Sequence, residues 1–203
     1  KQIILVDDCS FDGTKEIIKK KIKKKVDHVV FHKRNKGKGA SIISSQKFIK
    51  GNIVLIQDAD LEYNPKDITR IYNYIKKYKL KVVYGSRVLN KNKYQNTKNF
   101  THLIRIWGNI FLTNVSNIIN NQNLTDAHTC YKMFETKIFK KINLKEKGFA
   151  FCPEVTTKLS KKDYKIIEIP ISYKGRTYDK GKKITSMDGL VALLCLIKYR
   201  FID

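Results

Sequence analysis

Short apolar, strand-like runs alternate with helical segments through the first half of the chain, and this alternation limits the possible folds more than any other feature. The runs are rich in Ile, Val and Leu, and helix-start features such as Pro65 or a glycine-rich turn follow them. Such repetition predicts an α/β fold with a mostly parallel sheet flanked by helices on both faces. The four runs are QIILVDD, DHVVFHK, IVLIQDAD and KVVYGSR.

Charged side chains lie where several of these runs end. Ligands of open α/β sheets bind at the carboxyl ends of the strands. The sequence therefore predicts a binding site at that edge of the sheet. The charged residues that fall there are Asp7, Asp8, Asp58, Asp60 and Arg87.

Three acidic residues, Asp58, Asp60 and Glu62, occupy alternate positions at the end of the third run. Alternate side chains of an extended strand point to the same face, so the three carboxylates should converge. Converging carboxylates repel one another unless a cation lies among them. A hard divalent ion that chelates a diphosphate would supply this cation, and a solvated acidic turn is the simpler alternative.

The chain has 203 residues, of which 42% are hydrophobic, and this is enough for one domain with a buried core. Its net charge of +24 comes mostly from lysine, with 36 Lys and 6 Arg. Proteins that recognise nucleic acids favour Arg because it makes bidentate contacts, so the lysine bias predicts no nucleic-acid partner. A lysine-rich surface is attracted instead to anionic lipid or to phosphate-bearing substrates.

The four cysteines, Cys9, Cys130, Cys152 and Cys195, are far apart and form no C-x-x-C pair. Reduced thiols in a cytosolic compartment are the simplest interpretation. The longest late apolar run, Leu190 to Ile197, is too short to span a bilayer. These features predict a cytoplasmic protein.

The second half of the chain contains helical segments, one further strand and a basic loop. It shows no repeat and no low-complexity linker, so we expect residues 1–203 to form a single domain. The terminal segment, Met187 to Phe201, is apolar with cationic residues at its end. It predicts either a core helix or a helix that lies in a membrane interface.

Several motifs, in this order, resemble those of inverting GT-A glycosyltransferases of the family 2 type. The resemblance is to the branch of dolichyl- or polyprenyl-phosphate mannose and glucose synthases, and it covers nearly the whole chain. It implies a GT-A (Rossmann-like) fold. The motifs are VDDCSFDGT, NKGKGA, DADLEYNP, GSR, TDAHTCYKMF, FCPEV and EIPISYKGRTYDKGKKI.

The resemblance implies a site for a nucleotide-sugar donor. It assigns Asp7, Asp8 and Asp12 to the base and ribose, because carboxylates accept hydrogen bonds from base N–H groups and hydroxyls. For Asp12, a helix cap is an equal alternative. Lys38, in the glycine-rich turn, and Asp58 would also contact the donor.

The resemblance also implies a bound Mg²⁺ or Mn²⁺. Asp58, Asp60 and Glu62 match the D-x-D element and the polar residue two positions beyond it, and Asp60 is the firmest ligand. The ion would act as a Lewis acid on the departing nucleotide.

Basic residues at three further places would hold phosphates. By resemblance Arg87 binds the acceptor phosphate, and Arg105 is a second clamp, with an exposed helix arginine as the alternative. Arg176, Lys182 and Lys183 match the family's basic loop over the phosphates, for which a solvated loop is the alternative.

Two segments of the second half carry further candidates. Glu154 stands where related transferases keep an active-site acid, so the predicted catalytic residues are Asp60, Arg87, Glu154 and Arg176. Because a phosphate acceptor is already anionic, Glu154 could instead orient Arg or Lys side chains. Asp126 matches a family aspartate, whereas His128 is more readily explained as structural.

One departure from the family concerns the first strand. The resembling enzymes begin with a central strand and a helix before the VDD strand, and neither is found in this sequence. We therefore expect an N-terminally truncated domain whose sheet lacks one strand.

The predicted function is transfer of a hexose from a UDP- or GDP-sugar to a dolichyl or undecaprenyl phosphate, with inversion, at the cytoplasmic face of a membrane to which the protein binds peripherally. A response-regulator receiver domain also has paired acids after an ILVDD strand, and it is one alternative. A basic nucleic-acid-binding protein and an inactive, membrane-associated relative are the others. The motifs do not encode the sugar, the base, the lipid length or the oligomeric state.

Overall fold

The computed structural model describes residues 1–89, 100–175 and 186–202, and within these ranges the side chains of residues 100–105 and 186 are excluded. The strands are β1 (Ile4–Asp7), β2 (His28–Phe31), β3 (Ile53–Leu55), β4 (Val82–Ser86), β5 (Lys132–Glu135) and β6 (Ile167–Pro170). The helices are α1 (Thr14–Ile17), α2 (Lys38–Ser45), α3 (Lys66–Lys77), α4 (Phe100–Asn120), α5 (Thr136–Lys141), α6 (Phe151–Ser160) and α7 (Ser186–Phe201).

The strands form two sheets with different patterns. In the first sheet β1 pairs with β2 in parallel, with Ile4 opposite His28. In the second sheet the order is β3-β5-β4-β6. There β5 runs antiparallel to both β3 and β4, while β6 runs parallel to β4. The α/β class is confirmed, but the sheet is mixed rather than mostly parallel.

The position of β5 explains this difference. After β4 and α4 the chain returns to pair between β3 and β4, in the opposite direction to both. The segment that forms β5 is short and carries Lys132, so its sequence gives a weak strand pattern.

The two sheets are not hydrogen-bonded to each other within the described ranges. In those ranges β1 has a strand partner on one edge only, and so has β3. The expectation of an absent central strand is compatible with this arrangement and stays a prediction.

The main hydrophobic core lies between the larger sheet and the helices that cover it. Helix α3 buries Ile71 and Ile75, which are four residues apart on one face. Strand β4 is buried along its whole length, from Val82 to Ser86. Tyr84 and Phe134 meet edge-to-face in this core, with ring centroids 6.2 Å apart. The carboxyl end of β4 is therefore fixed by packing on both faces.

The start of α2 is tightly packed against the backbone of the loop at residues 146–148. Gly37 has a φ of 92°, which favours glycine, and a Cβ there would lie 2.6 Å from the carbonyl oxygen of Lys147. Ala40 N–H donates to the same oxygen at 2.9 Å. A Cβ on Gly39 would collide with the backbone of Glu146. The glycines therefore allow two backbones to touch beside the tip of β1.

The terminal helix α7 is half core helix and half surface helix. Its inner face, which includes Cys195, Leu196 and Tyr199, is buried. Its other face carries exposed apolar side chains from Met187 to Phe201. Among the described residues, none of the helices combines the length and the apolar character needed to cross a bilayer.

Replacing Gly39 by Ala is expected to lower the free energy of unfolding by about 1–3 kcal/mol, because the new methyl group meets backbone rather than a movable side chain. Urea unfolding measures this change. Gly108→Ala in α4 is the matched control, because a Cβ there has no neighbour within 4 Å. Equal stability of the two variants would contradict the proposed contact.

Candidate active site

The end of β1 is tied to the turn before α2 by Asp8. The backbone N–H groups of Lys36 and Gly37 donate to its carboxylate at 2.9 and 2.6 Å. His32 Nδ1 lies 2.6 Å from the same carboxylate. Burial raises the pKa of Asp8, but the hydrogen bonds from His32 and the two N–H groups outweigh it and lower the pKa below its usual value. Asp8 therefore holds the glycine-rich turn in place, and its donor role stays a prediction.

The neighbouring acids have local partners as well. Asp7 is buried and accepts a hydrogen bond from Ser10 N–H at 3.4 Å. Asp12 accepts one from Thr14 N–H at 3.2 Å, at the start of α1. The N-cap of α1 is Gly13, without a side-chain cap hydrogen bond, so the helix-capping alternative for Asp12 is not observed. Contact of either residue with a nucleotide stays a prediction.

A half-buried cation lies next to the first acid of the D-x-D element. Lys38, in the first turn of α2, places its Nζ 2.6 Å from Asp58 Oδ2. Burial lowers the pKa of Lys38, but the surrounding groups, led by Cys130 and Asp58, outweigh it and raise the pKa. Lys38 is therefore charged at neutral pH and neutralises Asp58. The sequence analysis assigned both residues to the donor site.

The three predicted metal ligands do not converge. Strand β3 ends at Leu55, before these acids begin, and Leu61 has a φ of 60°, so strand alternation does not apply to them. Asp60 Oδ1 accepts the N–H of Glu62 at 3.2 Å, while Glu62 Oε2 accepts the hydroxyl of Tyr173 at 2.9 Å. The described residues contain no group of three or more acidic, His or Cys side chains suited to a metal ion. A preformed three-carboxylate chelate therefore does not fit.

Arg87, at the end of β4, is held by Asp126. Its Nε and Nη2 donate to the two carboxylate oxygens at 2.6 and 2.8 Å, and its backbone N–H donates at 3.1 Å. Asp126 is fully buried, which raises its pKa, but the charge and hydrogen bonds of Arg87 outweigh burial and lower it. The predicted phosphate-binding arginine is thus fixed in direction by a buried ion pair.

Tyr173 connects Arg87 to the acidic loop after β3, which consists of residues 58–62. Its hydroxyl donates to Glu62, and its ring centroid lies 5.1 Å from Cζ of Arg87. Tyr63 and Tyr173 also form an isolated bridge between the two segments. The structure therefore brings the acidic loop and Arg87 into one site.

Two buried charges that sequence analysis did not single out support the turn that carries Asp126. Glu168 accepts the N–H groups of Thr125 and Asp126 at 2.6 and 2.9 Å. Lys132 donates to the carbonyl oxygens of Ala127 and Thr129 at 2.8 and 2.9 Å. Each of them is a single charged residue within an apolar, strand-like segment. Such a pattern indicates a charge that needs fixed partners, so the sequence did contain a signal for both residues.

Glu154 is fully buried and has three donors. Its carboxylate accepts the N–H groups of Lys145 and Glu146 at 2.6 and 2.9 Å, and Lys158 Nζ lies 2.8 Å away. These contacts hold the loop that packs on the start of α2. They support a positioning role for Glu154, which we propose in place of the predicted catalytic one.

The remaining predicted residues lie beyond what the structure shows. Arg105 belongs to α4, but its side chain is outside the described residues. Arg176, Lys182 and Lys183 are also outside the described residues. Their phosphate-binding roles stay predictions.

Comparison with known proteins identifies the family of this chain. The profile of Glycosyl transferase family 2 matches residues 1–143. An undecaprenyl-phosphate mannosyltransferase of Micrococcus luteus is 26% identical over 187 residues, which cover 89% of this chain and 74% of the relative. The low-salt glycan biosynthesis hexosyltransferase Agl6 of Haloferax volcanii is 24% identical over 173 residues, which cover 85% of this chain and 40% of the relative.

Solved structures show the same fold. Glucosyl-3-phosphoglycerate synthase of Mycobacterium tuberculosis matches with a TM-score of 0.70 and 12% identity, over 98% of this chain and 69% of that one. Its complex with Mn²⁺ and UDP-glucose matches with a TM-score of 0.67 and 12% identity, over 98% and 68% of the two chains.

The fold and the strand-end site define a glycosyltransferase of the GT-A type. The chain belongs to glycosyl transferase family 2, whose profile covers more than half of its length. The predicted fold and enzyme class are confirmed. Family membership sets aside the receiver-domain and nucleic-acid-binding alternatives, whereas the inactive relative and the polyprenyl-phosphate branch stay predictions.

Replacing Asp126 by Asn is expected to lower the free energy of unfolding by about 3–5 kcal/mol, because Arg87 stays buried without its counter-charge. Urea unfolding tests this expectation. The double variant Asp126→Leu/Arg87→Met removes both charges and should recover much of the loss. A double variant no more stable than the single one would contradict the account of the pair.

His128 is expected to make stability depend on pH. Burial, followed by the nearby positive charge of Lys132, lowers the pKa of His128 to about 4, and its Nε2 is buried with no hydrogen-bond partner among the described residues. In the unfolded chain, His128 takes up a proton near pH 6.5. Between about pH 6.5 and 4 the unfolded chain therefore binds more protons than the folded protein, and stability falls as pH drops through this window.

Urea unfolding of the wild type and of His128→Gln at several pH values checks this. The variant should lose less stability than the wild type between neutral pH and pH about 4. Parallel pH profiles would show that His128 does not carry the effect.

Proposed function

We propose that this glycosyltransferase transfers a hexose from a UDP- or GDP-sugar to a polyprenyl phosphate, with inversion, on the cytoplasmic side of a membrane. The proposal depends mainly on Arg87, whose side chain Asp126 holds in one orientation. Tyr173 connects this arginine to the acidic loop after β3. An arginine held this way suits a phosphate acceptor. The relative named undecaprenyl-phosphate mannosyltransferase supports this class of acceptor.

The acceptor needs no base in this scheme. A phosphate monoester is already anionic near neutral pH, so its oxygen can form the bond to the anomeric carbon while the bond to the nucleoside diphosphate breaks on the opposite side. This is consistent with the environment of Glu154, which is fully buried and surrounded by donors. In this scheme Arg87 orients the acceptor phosphate, and Arg105 and the 176–183 loop add cationic contacts.

The proposal includes Mg²⁺ or Mn²⁺ that binds together with the donor. Magnesium usually binds through one or two carboxylates plus substrate phosphates, which does not require a preformed protein cage. Asp60 is the proposed principal ligand, because it is the second acid of the D-x-D element, which the family resemblance makes the firmest ligand. When bound, such an ion would neutralise charge on the leaving diphosphate. The related fold solved with Mn²⁺ and UDP-glucose supports this choice of cofactor.

The positions of Asp8, Lys38 and the two glycines support a donor site at the start of α2. The N-terminus of this helix faces the turn that Asp8 holds, and Lys38 adds a positive charge beside it. Helix N-termini and lysines both stabilise phosphate groups. We therefore assign the donor diphosphate to this region and the acceptor phosphate to Arg87.

Replacing Asp60 by Asn is expected to reduce hexose transfer on the order of 100-fold, because the main carboxylate for the cation is lost. The assay follows labelled hexose from UDP- and GDP-sugars into undecaprenyl phosphate, with and without Mn²⁺. Asp163→Asn is the matched control, since Asp163 is an exposed acid in the turn after α6.

Two results would contradict the proposal. Full transfer by Asp60→Asn would remove Asp60 from the reaction. Transfer to 3-phosphoglycerate but not to undecaprenyl phosphate would replace the lipid acceptor with a soluble one.

A further inference from the structure

One face of α7 exposes a continuous apolar stripe. Its members recur every three or four residues, and their exposed fractions range from 42% to 73%. Helical spacing places all of them on one side of the helix. Isolated exposed apolar residues are common on proteins, but an aligned row of this length marks an interaction surface. The stripe consists of Met187, Leu190, Val191, Leu194, Ile197 and Phe201.

The stripe belongs to a helix that is firmly attached to the rest of the protein. The opposite face buries Ala192, Leu196 and Tyr199. Tyr199 also donates its hydroxyl to Glu146 at 2.7 Å. The apolar side chains are therefore presented outward by a packed helix, and they are not exposed by fraying of its end.

Charge distinguishes between the possible occupants of the stripe. Helix α7 has Asp188 in its first turn and Lys198 and Arg200 in its last turn. Lys198 Nζ lies 2.9 Å from Glu146 Oε1, so the attraction to an anionic surface comes from Arg200 and from the charge of the whole chain. The whole chain carries a net charge of +24. A bilayer with anionic headgroups attracts such a protein.

A second copy of the chain suits the stripe less well. Two chains of charge +24 repel each other, and α7 has one acid, Asp188, among its 16 residues to compensate. A stable dimer buries about 800 Å² on each partner. A single row of side chains along one helix of 16 residues is narrow for such an interface but has the form of a helix that lies in a membrane surface.

We propose that α7 lies in the plane of an anionic membrane interface, with the stripe from Met187 to Phe201 inserted among the headgroups. The inference extends the proposed function, because a lipid-linked acceptor would be presented at that surface. It does not depend on transfer activity, since binding of the helix to lipid can be measured without any sugar donor.

The test is co-sedimentation of the whole chain with vesicles of phosphatidylcholine, alone or mixed with phosphatidylglycerol. The wild type should bind the mixed vesicles, and the binding should weaken as salt rises. Leu190→Ser/Leu194→Ser should reduce the partition coefficient on the order of 100-fold, because two large apolar side chains no longer insert.

A double variant elsewhere on the surface is the matched control. Ile17→Ser/Tyr72→Ser removes two exposed apolar side chains from α1 and α3 and should bind vesicles as the wild type does. Thermal unfolding of both double variants shows whether the fold is kept, which exposed positions should allow.

Three results would overturn the inference: no binding of the wild type to mixed vesicles, equal binding by Leu190→Ser/Leu194→Ser, or a wild-type dimer in solution that this variant abolishes. Vesicle binding in a protein that fails to transfer hexose would leave the inference standing and count against the proposed function alone.

Discussion

The buried ion pair between Arg87 and Asp126 is the interaction on which the site depends. It joins the end of β4 to the turn before β5, two segments that are far apart in sequence. Glu168 and Lys132 brace that turn from either side. Removing charges from water is costly, so such a pair is maintained only when its hydrogen bonds are nearly complete. The ion pair holds the Arg87 guanidinium in one orientation, which suits the recognition of a phosphate group.

The acidic loop after β3 does not have the geometry that its sequence motif predicted. The D-x-D-x-E spacing implied three carboxylates on one face, but the strand ends before the motif and the positive φ of Leu61 turns the chain. Lys38 and Tyr173 then take up the outer two acids. The positive charge beside Asp58 is thus supplied by the protein itself.

Much of the fold could be predicted from the sequence because local patterns encode it. Apolar runs ending in acids gave β1 and β3, and the Asn-Pro pair gave the start of α3 at Lys66. The antiparallel insertion of β5 and the contact between Tyr173 and Glu62 could not be predicted in this way. They depend on residues more than a full helix apart in the chain, such as Tyr173 and Glu62, and no spacing rule reports those distances.

The loop at residues 145–147 belongs to two neighbourhoods at once. Its backbone is clasped by Glu154 and lies against Gly37 and Gly39, while the side chain of Glu146 is held by α7. One short segment therefore contacts both the terminal helix and the glycine turn. A shift of α7 that moved Glu146 would also move the backbone against which Gly37 and Gly39 pack.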